Sequence, residues 1–391
     1  MADSLKTFFS PALVRRLAAD LARTHPAFPV EAFVAQATRG LNRLELLDRS
    51  RHITRALAVH LPTPYPKAVA VLLRSLGPEH ASDELLGLGM APFFYLPHTM
   101  FVAEHGLDHF DVSIYAQYEL TKRFSAEASI RPYLARFPEE TLATLATWAT
   151  DANPHVRRLV SEGTRLRLPW APRVPWLDAH PERVLALLEM LKDDPASLVR
   201  RSVANNLNDL SKTHPALLMR TCEAWLRDAT AERRALVEHA LRGAVKRGSP
   251  EALRLLGFGR KAAVAVDAVA IAPTRVAIGG RVTIAFTLRS RSRTAQDLLV
   301  DLAVHFVKAN SRSAPKVFKL KRITLPAGGR EHFTTSVSLA VHTTRKPYPG
   351  RHAVDVVVNG QATPLGAFVV TPETAAAAPT SALGCFCLSY L

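Results

Sequence analysis

The chain has 391 residues, too many for one ordinary core, so two domains are expected. Nearly half of the residues are apolar and about a fifth are charged, which excludes a disordered chain. A formal charge of +16 favours a polyanionic partner, nucleic acid ahead of a membrane surface, and argues against an acidic one.

Met1 to Ser10 lacks the basic, apolar, small-residue order of a secretory signal, and no run of about 18 apolar residues follows to cross a membrane. The three cysteines, Cys222, Cys385 and Cys387, have neither zinc-ligand spacing nor the count for a disulfide framework. Cys387 is one place too far from the end for prenylation. A reducing, cytoplasmic setting is expected, without membrane contact.

From Ser4 to about Leu256 the apolar residues recur at helical spacing, as in Leu13-Val14-Leu17-Leu21 and Val184-Leu187-Leu188-Leu191. The helices are punctuated by Thr63-Pro64, Asn153-Pro154, Asp194-Pro195 and His214-Pro215, a rhythm that suits stacked helix pairs. His155-Val-Arg-Arg-Leu-Val-Ser-Glu162 aligns with Leu198-Val-Arg-Arg-Ser-Val-Ala-Asn205 at an offset of 43, within the period of HEAT-type repeats, and a weaker copy runs from Arg233 to Arg247. Such stacking is expected to leave a concave surface able to hold a duplex.

After Gly257 the pattern becomes alternation: Arg281–Arg289, Val300–Val307 and Arg351–Val358 read as strands, with turns at Gly279-Gly280, Gly328-Gly329 and Asn359-Gly360. Some seven strands in about 110 residues predict an immunoglobulin-like sandwich. Residues 260–372 hold 17 Lys/Arg against 5 Asp/Glu, most of the basic surplus. The expected organisation is therefore multidomain: an all-α HEAT-like repeat solenoid over 1–256, an all-β immunoglobulin-like sandwich over 260–372, and a disordered tail over 373–391.

Leu159-Val-Ser-Glu-Gly-Thr-Arg-Leu-Arg-Leu-Pro-Trp-Ala-Pro172, Ser202-Val-Ala-Asn-Asn-Leu-Asn-Asp209 and Val245-Lys-Arg-Gly-Ser-Pro-Glu-Ala-Leu253 resemble the AlkC branch of the bacterial AlkC/AlkD DNA alkylation repair glycosylases. His305-Phe-Val-Lys-Ala-Asn310 and Lys316-Val-Phe-Lys-Leu-Lys321 extend the resemblance into the β domain, leaving only the last 19 residues outside it. The resemblance implies a monomer clamping duplex DNA near the nucleoid and hydrolysis of the N-glycosidic bond of 3-methyladenine, with 3-methylcytosine as a further substrate, without a deep base pocket. It also implies active-site acids at Glu162, Asp209 and Glu127, and an aromatic at Trp170.

The residues fit that chemistry. An alkylated base carries positive charge and leaves readily, so the barrier lies in the cationic character developing on the deoxyribose, which a fixed carboxylate stabilises. Glu162 precedes Arg165 by three residues, read as one helical face, and Asp209 follows Asn205 by four in the next repeat. Trp170, bracketed by prolines, could press its face on a cation. Water is the expected nucleophile, because no lysine is placed for a Schiff base.

A basic track for phosphates is expected from Arg157, Arg158, Arg165, Arg200, Arg201, Lys246 and Arg247. Lys316, Lys319 and Lys321, read as one strand face, and Arg345, Lys346 and Arg351, read as a loop, would reach a groove. The same acids and arginines could instead be repeat-stabilising ion pairs, and the whole chain a non-catalytic DNA-binding protein or a protein scaffold. His98, His105 and His109 have no firm zinc spacing, and no phosphate loop appears, so neither metal nor cofactor is expected.

Overall fold

A computed structural model describes residues 5–80, 89–341 and 346–372. The tail over 373–391 and Arg345 lie outside the described residues.

Fifteen α-helices come first among the described residues: α1 Pro11–Thr24, α2 Val30–Thr38, α3 Leu46–His60, α4 Tyr65–Arg74, α5 Leu96–His105, α6 Phe110–Thr121, α7 Arg131–Arg136, α8 Pro138–Trp148, α9 Pro154–Gly163, α10 Pro175–Ala179, α11 Pro181–Leu191, α12 Ser197–Leu210, α13 Pro215–Leu226, α14 Ala231–Lys246 and α15 Pro250–Leu255. Eight strands follow: β1 Val264–Ala272, β2 Arg275–Ala277, β3 Arg281–Ser290, β4 Gln296–Val307, β5 Ser313–Leu325, β6 Arg330–Ser338, β7 Gly350–Val358 and β8 Gln361–Thr371. The chain parts into two compact units within α14, Met1–Gly243 and Ala244–Leu391, ahead of the composition change at Gly257. No helix among the described residues is long and apolar enough to cross a membrane.

Proline starts many of the helices because its fixed φ suits the first turn and its missing N–H is not needed there. The 43-residue offset has a structural counterpart. Asp151 and Asp194 each accept the backbone N–H two residues on, at 2.7 and 2.8 Å, turning the chain into α9 and α12. In each repeat an arginine then folds back on that turn: Arg157 Nη1 donates to the carbonyls of Asp151 and Ala152, and Arg200 Nη1 to those of Asp194 and Pro195.

Both helices bury one stripe, Val156, Leu159 and Val160 in α9 and Val199, Val203, Leu207 and Leu210 in α12. Between them the buried Asn206 donates from Nδ2 to the Ser161 carbonyl at 2.8 Å and to Thr164 Oγ1 at 3.1 Å. That bond satisfies a carbonyl the helix end leaves free. Gly163 closes α9 where a Cβ would come within 2.7 Å of Ile130 Cγ2, so only glycine allows the preceding repeat this close.

The sheet unit has two layers, a three-stranded sheet in the order β1-β3-β6 and a five-stranded sheet β2-β8-β7-β4-β5, antiparallel except for β2 with β8. Alternate residues of β3, Val282, Ile284, Phe286 and Leu288, share a core with Val300, Leu302, Val304 and Phe306 of β4. The short β2 is the strand that alternation alone does not reveal. An all-α region followed by a two-layer β domain is the architecture expected.

Candidate active site

The stretch between α6 and α7 carries Glu127, the end of α9 Glu162 and the end of α12 Asp209, and arginines of α9 and of the loop after it bring the three acids together. Arg165 stands between two of them: its Nε and Nη2 donate to Asp209 at 2.9 and 3.3 Å, and its Nη1 to Glu162 at 3.1 Å. Arg158 plays the same part on the other side, reaching Glu127 at 3.1 Å and Glu162 at 3.7 Å. The order Glu127, Arg158, Glu162, Arg165, Asp209 is thus one alternating chain of charges drawn from successive repeats. Glu162 and Asp209 are buried, and Glu127 is half-buried. Asp209 also accepts the Arg167 backbone N–H at 3.3 Å, and Ser125 donates to Glu127 at 2.8 Å.

Three carboxylates alternate with two guanidiniums at a poorly solvated place, and the charges of Arg131 and Arg242 also act on Asp209, so each acid is held among positive neighbours. Burial alone would pull the Arg165 guanidinium down, but its hydrogen bonds and proximity to Asp209 and Glu162 hold it above its ordinary value. One expectation needs correcting: α9 ends at Gly163, so Arg165 is not on a shared helical face with Glu162 but in the loop beyond it.

That loop is held from beneath by a residue the sequence reading missed. Arg131, at the start of α7 and 1% exposed, donates to the carbonyls of Pro172 at 2.7 Å and of Gly163 and Arg165 at 2.9 Å. Burial, and next the charge of Arg165, pull its guanidinium down to about 10. At the tip, Trp170 is 69% exposed and its φ of 61° lies in the left-handed region that side chains other than glycine avoid. A bulky indole held outward on unfavourable backbone marks a place where exposure is worth more than stability. Trp170 borders a cleft of about 320 Å³ with Glu127, Arg158, Phe93, Met100 and Phe124.

Trp170→Gly separates these contributions. Relief of a left-handed residue is worth about 1–2 kcal/mol and the added freedom of glycine costs about 0.4–1 kcal/mol. The variant is therefore expected to be about as stable as the parent, or up to about 1 kcal/mol more so, while activity falls about tenfold. A loss of more than about 2 kcal/mol in urea unfolding would assign Trp170 to the core instead.

The remaining basic candidates scatter. Arg157 spends its guanidinium on Asp194, Nε at 2.6 Å and Nη2 at 3.0 Å, tying one repeat to the next, and Arg200 is turned to its own helix entry. Arg201 is exposed. Within the sheet unit, Lys246 and Arg247 are exposed at the end of α14, and Lys346 and Arg351 are exposed near the start of β7. Lys316, Lys319 and Lys321 do not share one face: a bulge at Leu320 pairs Lys321 with Val300 but Lys319 with Asp301, and Lys316 with Val304. Lys319 is thereby separated from the other two. His98 is buried between aromatic rings and burial pushes it down to about 4, while His109 stacks on Tyr65.

Comparison with known proteins covers most of the chain. A family model described as DNA alkylation repair enzyme matches residues 124–247, and one described as the C-terminal Ig-like domain of the uncharacterised protein YhaZ matches 265–372. The uncharacterized protein YhaZ of Bacillus subtilis (strain 168) is 33% identical over 362 residues, 92% of this chain and 97% of its own. The structure of Pseudomonas fluorescens alkylpurine DNA glycosylase AlkC, bound to DNA containing an abasic site analog, is 35% identical with a TM-score of 0.87, covering 94% of this chain and 99% of that one. With such similarity running through both the acid-bearing helices and the sandwich, the chain belongs to the DNA alkylation repair enzyme family, in its AlkC-like branch with a C-terminal immunoglobulin-like domain.

Proposed function

We propose that the chain is a monofunctional DNA glycosylase that hydrolyses the N-glycosidic bond of cationic alkylated bases in duplex DNA, 3-methyladenine first and 3-methylcytosine as a further substrate. The observation that carries this reading is the convergence of Glu127, Glu162 and Asp209 on two arginines beside an outward-facing tryptophan. The base leaves as a neutral molecule once its bond to the sugar breaks, so it needs no protonation. The deoxyribose is left electron-deficient, and a carboxylate fixed in advance meets that charge without reorganising. Asp209 is the acid best suited to this, because one side chain and one backbone N–H already set its orientation. It can also accept a proton from the water that attacks the sugar carbon. Glu162 holds Arg165, and Glu127 holds Arg158, so these two shape the field around the reacting centre. The Trp170 face would lie against the cationic nucleoside. The exposed lysines and arginines of the sandwich would neutralise phosphates.

The test is direct: methylated duplex DNA is incubated with the protein and the free bases are separated by chromatography. Release of 3-methyladenine is expected. Tight DNA binding with no base released would leave a non-catalytic DNA-binding protein as the function.

A further inference from the structure

One repeat beyond the acidic cluster, the corresponding positions carry different chemistry. Arg158 and Glu162 of α9 align with Arg201 and Asn205 of α12, so an amide stands where the preceding repeat has a carboxylate. The consequences for charge are opposite. Arg158 is neutralised by Glu127 and Glu162, whereas among the described residues Arg201 makes no hydrogen bond or ion pair.

Asn205 is oriented by its neighbours on α14. Its Oδ1 accepts Arg242 Nη2 at 2.8 Å and lies 3.2 Å from His239 Nε2, which fixes the oxygen toward α14. An arginine can only donate, so the amide cannot be turned the other way. The two N–H groups of Nδ2 are left without a partner among the described residues. Arg242 is itself held by the His239 carbonyl at 2.6 Å. Burial lowers its guanidinium, and the charges of Arg165 and Arg201 lower it further against the opposing pull of Asp209. Cations are thus crowded beside Asp209 with too few anions of the protein's own. Arg201 and His239 line a surface groove of about 450 Å³ together with Ser197 and Arg200. Glu232, the groove's one acid, is turned to its own backbone and Thr230 at the start of α14.

We propose that Arg201, the Asn205 amide and Arg242 form a phosphodiester-binding subsite, which grips the DNA backbone next to the nucleotide held at Asp209. This rests on the reading of duplex DNA as the ligand. A phosphate has only acceptors, and this subsite offers only donors: the free Asn205 N–H groups and the Arg201 fork, backed by the charge of Arg242. A carboxylate at 205 would repel it.

Asn205→Asp is the informative change, because aspartate keeps the oxygen that Arg242 and His239 use and replaces the outward amide by a second oxygen. Affinity for an undamaged duplex and for a duplex containing an abasic-site analogue is measured between about 50 and 200 mM salt. The variant is expected to melt no lower than the parent, to bind both duplexes about tenfold more weakly, and to lose about 0.9 from the slope of log affinity against log salt. Arg201→Gln, at an exposed position, is expected to lose a similar slope and guards against a folding defect in the first variant. Parental affinity and slope in both variants would overturn the subsite. A parent protein that binds neither duplex would overturn the DNA reading itself. Slope loss in a protein that releases no base would leave the subsite standing and remove the glycosylase.

Discussion

Asp209→Asn is expected to lose about 10²–10³ in the rate of 3-methyladenine release while its affinity for DNA stays level or improves. The two effects have different origins. In the folded protein the Asp209 carboxylate is oriented by Arg165 and the Arg167 backbone N–H, and the substitution removes the fixed negative charge that an electron-deficient sugar would meet. A preorganised charge in a buried site is worth about 3–4 kcal/mol in a transition state, which sets the size of the loss. In the ground state DNA brings negative phosphates, so a neutral amide at 209 removes repulsion. A general loss of structure would lower rate and affinity together, and the opposite signs exclude it. Glu162→Gln is expected to cost less, because Glu162 acts by holding Arg165 at 3.1 Å. Single-turnover release, measured beside a binding isotherm, decides the matter: an Asp209→Asn protein as fast as the parent would remove Asp209 from the chemistry.

The parts of this arrangement that could be read from the sequence are those with a period. Helical spacing up to about Leu256, alternation after it, and the offset of 43 between two Arg-Arg helices were all visible, and the turn geometry at Asp151 and Asp194 now gives the offset a physical cause. The acids were found because they stand in resembling segments, not because of any local signal. What could not be read is side-chain destination. The Arg-Arg pairs look alike on a helix wheel, yet Arg157 and Arg200 turn to backbone carbonyls while Arg158 pairs with Glu127 and Arg201 is exposed. The bulge at Leu320 shifts a register that regular alternation takes for granted, and so separates Lys319 from Lys321. Asn205 and Arg242 meet only because α12 and α14 pack, a long-range contact with no sequence signature. Arg131 is the extreme case, an arginine at a helix start that reads as solvated and is buried.

Arg131→Leu is the substitution expected to cost the most stability, about 3–5 kcal/mol for unfolding of the helical unit. The wild-type guanidinium satisfies three carbonyls from both ends of the loop between α9 and α10, those of Gly163, Arg165 and Pro172. Leucine fills part of the space but leaves the buried Gly163 carbonyl without a donor, at about 1–3 kcal/mol, and those of Arg165 and Pro172, nearer to water, at less, while the lost packing and loop order add to the cost. Arg131→Lys keeps the charge but offers a single ammonium in place of a fork and is expected to restore only part of the stability. Activity should follow stability here for a geometric reason. The same loop carries Arg165, which orients Asp209, and Trp170, whose left-handed backbone has to be held by its surroundings. A loop freed at both ends would let Trp170 relax and Arg165 drift. Urea unfolding followed by tryptophan fluorescence and by circular dichroism gives the measurement. A loss below about 1 kcal/mol for Arg131→Leu would mean that the loop finds other donors and that Arg131 does not set the geometry of the site.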